Sequence, residues 1–144
     1  MEMRQKIGIG AGLVWAAALL GIAALFVRLP VFTLMPTIMA AFLAPGLVLA
    51  AMIGCRAVWQ VGQVVRDTVE QLVLAMAVWP AAAVMLGPEG PGAIATLGAG
   101  FALARLVFWL GCHRGAAALA YFGFFATFLP TVLVALWALL RVAT

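Results

Sequence analysis

Residues 56–71 read RAVWQVGQVVRDTVEQ and run, with no proline between, into the apolar stretch Leu72-Val73-Leu74-Ala75. The spacing predicts one continuous helix over Arg56 to Gln71. Gln60, Gln63, Asp67, Glu70 and Gln71 recur at steps of three or four, so a helix gathers them into one broad stripe. Val61, Val64, Val65, Thr68, Val69 and Leu72 fall mostly elsewhere on it. A polar stripe therefore descends into an apolar helix, and the rest of the chain decides what surrounds that helix.

The solvent is lipid. Of 144 residues, 68% are hydrophobic and 8% charged, and the mean hydropathy is +1.26. A soluble domain carries about 25% charged residues to cover its surface. The net charge of +4 comes from Arg4, Lys6, Arg28, Arg56, Arg66, Arg105, Arg114 and Arg141, spread singly along the chain. A nucleic-acid binder clusters such residues on one face, so nucleic acid is set aside. Cys55 and Cys112 are the only cysteines. They offer no metal spacing, and a bridge between them is not expected.

A helix needs about 20 apolar residues to cross a bilayer. Five runs of that kind are expected: Ile7 to Val27, about Pro30 to Cys55, about Thr68 to Leu86, Pro91 to Cys112, and about Ala116 to Leu140. The first is longer than a signal peptide's apolar core and reads as a retained helix. Pro30, Pro36 and Pro45 crowd the second, and a rival count of four makes residues 30–40 an irregular or interfacial segment. Positive charges stay in the cytoplasm. With five spans one side holds Arg4, Lys6, Arg56, Arg66 and Arg114 and the other only Arg28 and Arg141, so the amino terminus is expected in the cytoplasm. Gly87-Pro88-Glu89-Gly90-Pro91-Gly92 is turn chemistry, expected as a tight hairpin on the far side. Gly8 with Gly12, and Gly98 with Gly100, read as points where helix backbones approach closely rather than as a nucleotide fingerprint.

Charges inside the bilayer are the best pointers to function. Glu70 lies one turn past Arg66, at or below headgroup level. Arg105 lies eight residues before His113, about 12 Å in from the same end. The expected arrangement is an Arg105 to Glu70 ion pair, either as a tie between two helices or as part of a site for a polar ligand entering from the cytoplasm. His113 reads as a solvated interfacial residue, and the tryptophans with Tyr121 as lipid-facing or packing aromatics. Besides Asp67 and Glu70 the only acids are Glu2 and Glu89, so paired-carboxylate, Ser/His/Asp and metal-cluster chemistry is disfavoured.

Two stretches resemble a known family. Arg66-Asp67-Thr68-Val69-Glu70-Gln71 with Leu72-Val73-Leu74-Ala75 is similar to the second-helix signature of the MAPEG family, the membrane-associated proteins in eicosanoid and glutathione metabolism. Ala104-Arg105-Leu106-Val107-Phe108-Trp109-Leu110-Gly111, continuing to Phe122-Gly123-Phe124 and Thr127-Phe128-Leu129-Pro130-Thr131, looks like that family's arginine-bearing third helix and the start of its fourth. The resemblance covers about residues 35–140. It implies an all-α membrane protein, with a MAPEG-like four-helix bundle over residues 30–144 and an extra transmembrane helix over residues 1–29. It further implies a bacterial-type member in the inner membrane, a homotrimer in the lipid bilayer, and glutathione as cosubstrate, contacted by Arg66 or a neighbour, Asp67, Glu70 and Arg105.

The departures bear on activity. Asp67 stands where the family usually has Asn, Phe108 and Cys112 where polar aromatic or Tyr residues often lie, and Ala120 or Tyr121 where an Arg is expected before Phe-Gly-Phe. That Arg is thought to activate the thiol. Without a nearby cation, a thiol of pKa about 8.5 ionises poorly at neutral pH, and Arg114, Tyr121 or Arg105 would have to replace it. The resemblance thus implies a glutathione-dependent transferase or peroxidase acting on lipophilic electrophiles. The departures point to a non-catalytic structural or ligand-binding protein with a degenerate glutathione site. A transporter subunit is disfavoured, since no inverted repeat is evident.

Overall fold

The computed structural model describes residues 2–26, 34–59 and 62–143, less the side chains of residues 2, 4, 5 and 56–59. Five helices follow one another: α1 (Glu2–Phe26), α2 (Leu34–Trp59), α3 (Gly62–Met85), α4 (Gly90–His113) and α5 (Ala117–Ala143), with a single 3₁₀ turn, Gly87–Glu89, before α4. All five are long and apolar enough to cross a membrane. In hydrocarbon every backbone N–H and C=O must be satisfied within the segment, and an apolar helix does this without help. The four-span alternative is overturned, because α2 is a full-length helix from Leu34 onward. Pro36 falls in its first turn, where the missing N–H costs nothing. Pro30 and Arg28 lie outside the described residues.

The continuous helix expected over Arg56 to Gln71 is not formed. Arg56–Trp59 closes α2, and α3 starts afresh at Gly62. α2 and α3 fold back on each other: Thr68 Oγ1 lies 3.6 Å from Met52 Sδ, sixteen residues earlier. Packing outweighs local propensity here. Met52, Val64, Val65 and Phe108 form one buried cluster, which a straight helix would pull apart.

α4 is the axis of the bundle and touches each of the other four helices. Short connections make sequence neighbours antiparallel, and the contacts bear this out. Gly123 of α5 packs on Phe108 of α4, and Gly111 of α4 on Leu119 and Ala120 of α5. Gly98 of α4 sits against the Ala41 backbone of α2, where an added Cβ would come within 2.8 Å of Ala41 Cα. Pro45 explains why that surface is available. It lies within α2 and has no N–H to offer Ala41, so the Ala41 carbonyl faces its neighbour helix instead.

α1 lies against α5 and α4. A Cβ at Gly8 would come within 2.5 Å of Tyr121 Cβ, and one at Gly12 within 2.8 Å of Phe125 Cβ, so α1 and α5 run parallel and in step. Gly100 makes room in the same way for Leu19 of α1. The close-approach reading therefore holds for Gly8, Gly12 and Gly98, whereas Gly100 makes room for a side chain rather than a backbone. At the opposite end Arg141 Nη2 donates to Glu89 Oε1 at 2.9 Å, tying the last turn of α5 to the α3–α4 turn. The core between is led by Trp79, stacked on Phe42 and edge-on to Phe101.

Candidate functional site

α3 carries Gln63, Arg66, Asp67 and Glu70 on one face within its first nine residues, while Thr68, the other polar side chain there, is buried. Spacings of three and four put them on one side of the helix. With Gly62 they line an open groove of about 600 Å³. Arg66 Nε donates to Glu70 Oε1 at 2.9 Å, an i to i+4 pair whose side chains are 79% and 59% exposed. Asp67 is half-buried in the groove wall. Gln60, expected on this stripe, lies outside the described residues, as does the side chain of Arg56.

Gln71 leaves the stripe. It is buried and turned inward, because one residue past Glu70 is a rotation of about 100° about the helix.

Inside the bundle Gln71 is linked to Arg105 through Thr127. The Arg105 side chain is wholly buried, and its Nη2 donates to Thr127 Oγ1 at 2.6 Å. The Thr127 hydroxyl in turn donates to Gln71 Oε1. Hydroxyl chemistry suits this middle place, since one oxygen both accepts and donates. The rings of Phe108, Phe101 and Phe124 enclose the guanidinium at 4.9, 5.5 and 5.9 Å from their centroids. Cation–π attraction of about 0.5–2 kcal/mol per good contact partly offsets the cost of keeping this charge in hydrocarbon. Among the described residues, Arg105 Nε and Nη1 and Gln71 Nε2 are buried without a hydrogen-bond partner.

The expected Arg105 to Glu70 ion pair is therefore replaced by two separate arrangements. Glu70 turns outward to Arg66, and Arg105 turns inward to Thr127. The reason is the pitch of α3: a helix that aims Gln71 at α5 aims Glu70 away from α4. Of the four residues singled out from the sequence, Arg66, Asp67 and Glu70 share one groove. Arg105 is not among that groove's lining residues and reaches Asp67 only through its field. Compared with known proteins, the chain matches no family model, no curated protein and no solved structure.

Sequence reasoning does not single out Thr127, although depth marks it. Arg105 lies about 12 Å from the end of α4, Gln71 about 14 Å from the start of α3, and Thr127 about 15 Å from the start of α5, so antiparallel packing brings all three to one level. Thr131, one turn further, receives Trp79 Nε1 at 3.4 Å and carries the polar track deeper.

The residues considered as replacements for a thiol-activating cation, Arg114, Tyr121 and Arg105, are not in the groove lining. Tyr121 presents its Cβ to Gly8 of α1, Arg105 is buried against Phe108, and Arg114 is exposed in the α4–α5 connection. Cys112 is exposed, Cys55 is half-buried, and both are free thiols.

Proposed function

We propose that the chain is a MAPEG-type membrane protein that binds glutathione in the α3 groove and uses it, as a transferase or peroxidase, against lipophilic electrophiles. The observation that carries this reading is the groove itself. Arg66, Asp67 and Glu70, the polar residues of the stretch that resembles the family signature, line one cavity of about 600 Å³ on a helix long enough to span a membrane. Small-molecule sites run to about 300–1,000 Å³. Beside it, Val69, Val73 and Met76 form an exposed apolar strip on the same helix, along which a molecule dissolved in the bilayer would reach a bound thiol.

In the transferase reaction the thiol loses its proton, sulfur bonds to the electrophilic carbon, and the leaving group departs with its electron pair. Arg66 is the cation in the groove lining, and Glu70 holds it. Thiolate stabilisation is accordingly weak, and turnover is expected to be slow. The same proposal includes a homotrimer in the bacterial inner membrane with the amino terminus in the cytoplasm. Lys6, Arg66 and Arg114 at one end of the bundle, against Arg141 already paired with Glu89 at the other, favour that orientation.

A second reading, a non-catalytic bundle with a degenerate site, is favoured by one observation: Arg105 is sealed among three rings. Calorimetry of glutathione binding to the protein in detergent separates the two. Binding at millimolar glutathione that weakens in Arg66→Ala and Glu70→Gln upholds the groove as the glutathione site, and no heat at millimolar concentration overturns the first reading. A conjugation assay with a generic electrophile then reads turnover, and binding without turnover upholds the second.

A further inference from the structure

The charges in the groove are not equivalent. Arg66 and Glu70 answer each other across one helical turn at 2.9 Å. Asp67 lines the same groove, yet among the described residues no donor reaches its carboxylate. It is also the more deeply set of the two acids, half-buried where Glu70 is exposed. Behind it Arg105 acts on Asp67 only through space, with Nη2 committed to Thr127. The groove thus offers a ligand one half-buried carboxylate that no donor among the described residues engages, flanked by the Arg66–Glu70 ion pair.

We infer that Asp67 is the specificity-determining residue of this groove and that it selects a ligand carrying a protonated primary amine. The inference rests on the groove being the binding site proposed above, and names what that site takes. An ionised carboxylate only accepts hydrogen bonds, and an ammonium only donates them, three at a time. Such charge-assisted bonds are roughly twice as strong as neutral ones, while a ligand carboxylate placed at the same point is repelled. Gln63, the neutral amide in the lining, accepts and donates alike and discriminates little. A ligand with both kinds of charge enters with its amine at Asp67 and its carboxylates toward Arg66.

The test compares glutathione with N-acetylglutathione, whose amine is blocked, by calorimetry on the detergent-solubilised full chain and on Asp67→Asn and Asp67→Glu. Acetylation is expected to weaken binding to the wild type about tenfold, the effect of one charge-assisted bond. The preference should shrink below about threefold in Asp67→Asn and return in Asp67→Glu. Equal affinity for both ligands in the wild type, or an undiminished preference in Asp67→Asn, overturns the assignment and leaves glutathione binding standing. If neither tripeptide binds, the glutathione reading fails by itself, and 1,4-diaminobutane decides the amine assignment. Saturable binding of the diamine that Asp67→Asn abolishes upholds it; no binding, or binding indifferent to the substitution, overturns it. Should Asp67→Asn not fold, the wild-type comparison of free and blocked amine decides between the two outcomes.

Discussion

Replacing Thr127 by Val keeps the shape of the side chain and removes the hydroxyl that joins three helices. Arg105 Nη2 on α4 then loses its acceptor and Gln71 Oε1 on α3 its donor. In a water-soluble core, unsatisfied groups of this kind cost about 1–3 kcal/mol each and more when charged. Within a membrane the unfolded chain finds other partners, and interhelical hydrogen bonds average about 0.6 kcal/mol with a maximum near 1.7. Two bonds, one of them to a guanidinium, place the expected loss at about 1–3 kcal/mol. Reversible unfolding in mixed micelles, with the fraction of denaturing detergent as the variable, measures it. Thr131→Val is the internal standard. It removes one long interhelical bond of 3.4 Å from a neutral indole, together with a bond within α5 to the Thr127 carbonyl at 3.1 Å, and its interhelical part should cost less than about 0.6 kcal/mol. A double-mutant cycle with Arg105→Met should show coupling of about 1 kcal/mol between positions 105 and 127. A Thr127→Val protein within about 0.3 kcal/mol of the wild type, or one less affected than Thr131→Val, would refute the idea that this hydroxyl organises the bundle interior.

Gly12→Val should lift α1 from α5, because its Cβ would fall 2.8 Å from Phe125 Cβ, whereas Gly10→Ala, with open space around it, should be silent. Reversible unfolding in mixed micelles reads the difference. Glu89→Gln breaks the tie to Arg141, but that pair is partly exposed, so the loss should stay under about 1 kcal/mol and vanish in high salt. A membrane-impermeant maleimide should label Cys112 faster than Cys55, given that Cys112 is exposed and Cys55 half-buried. In right-side-out vesicles it should reach Cys112 only after the membrane is opened. Labelling of intact vesicles would reverse the proposed orientation.

Much of the architecture is already written in the order of residues. Five apolar runs separated by Arg, Gly and Pro fix the number of helices, since a backbone in hydrocarbon has few other ways to satisfy itself. Gly8, Gly12 and Gly98 mark close approach because only a missing Cβ lets helices meet there. The polar opening of α3 is legible for the same reason: Gln63, Arg66, Asp67 and Glu70 stand out against an apolar helix and share a face by spacing alone. Tertiary structure decided the rest. Whether Arg56 to Gln71 stays straight or reverses depends on how Met52, Val64, Val65 and Phe108 pack, which no local propensity encodes. Whether Arg105 faces Glu70 or Gln71 turns on about 100° of rotation around α3, set by what that helix buries against α5. The sequence alone placed a cation at the right depth, and only the packing of three helices chose its partner.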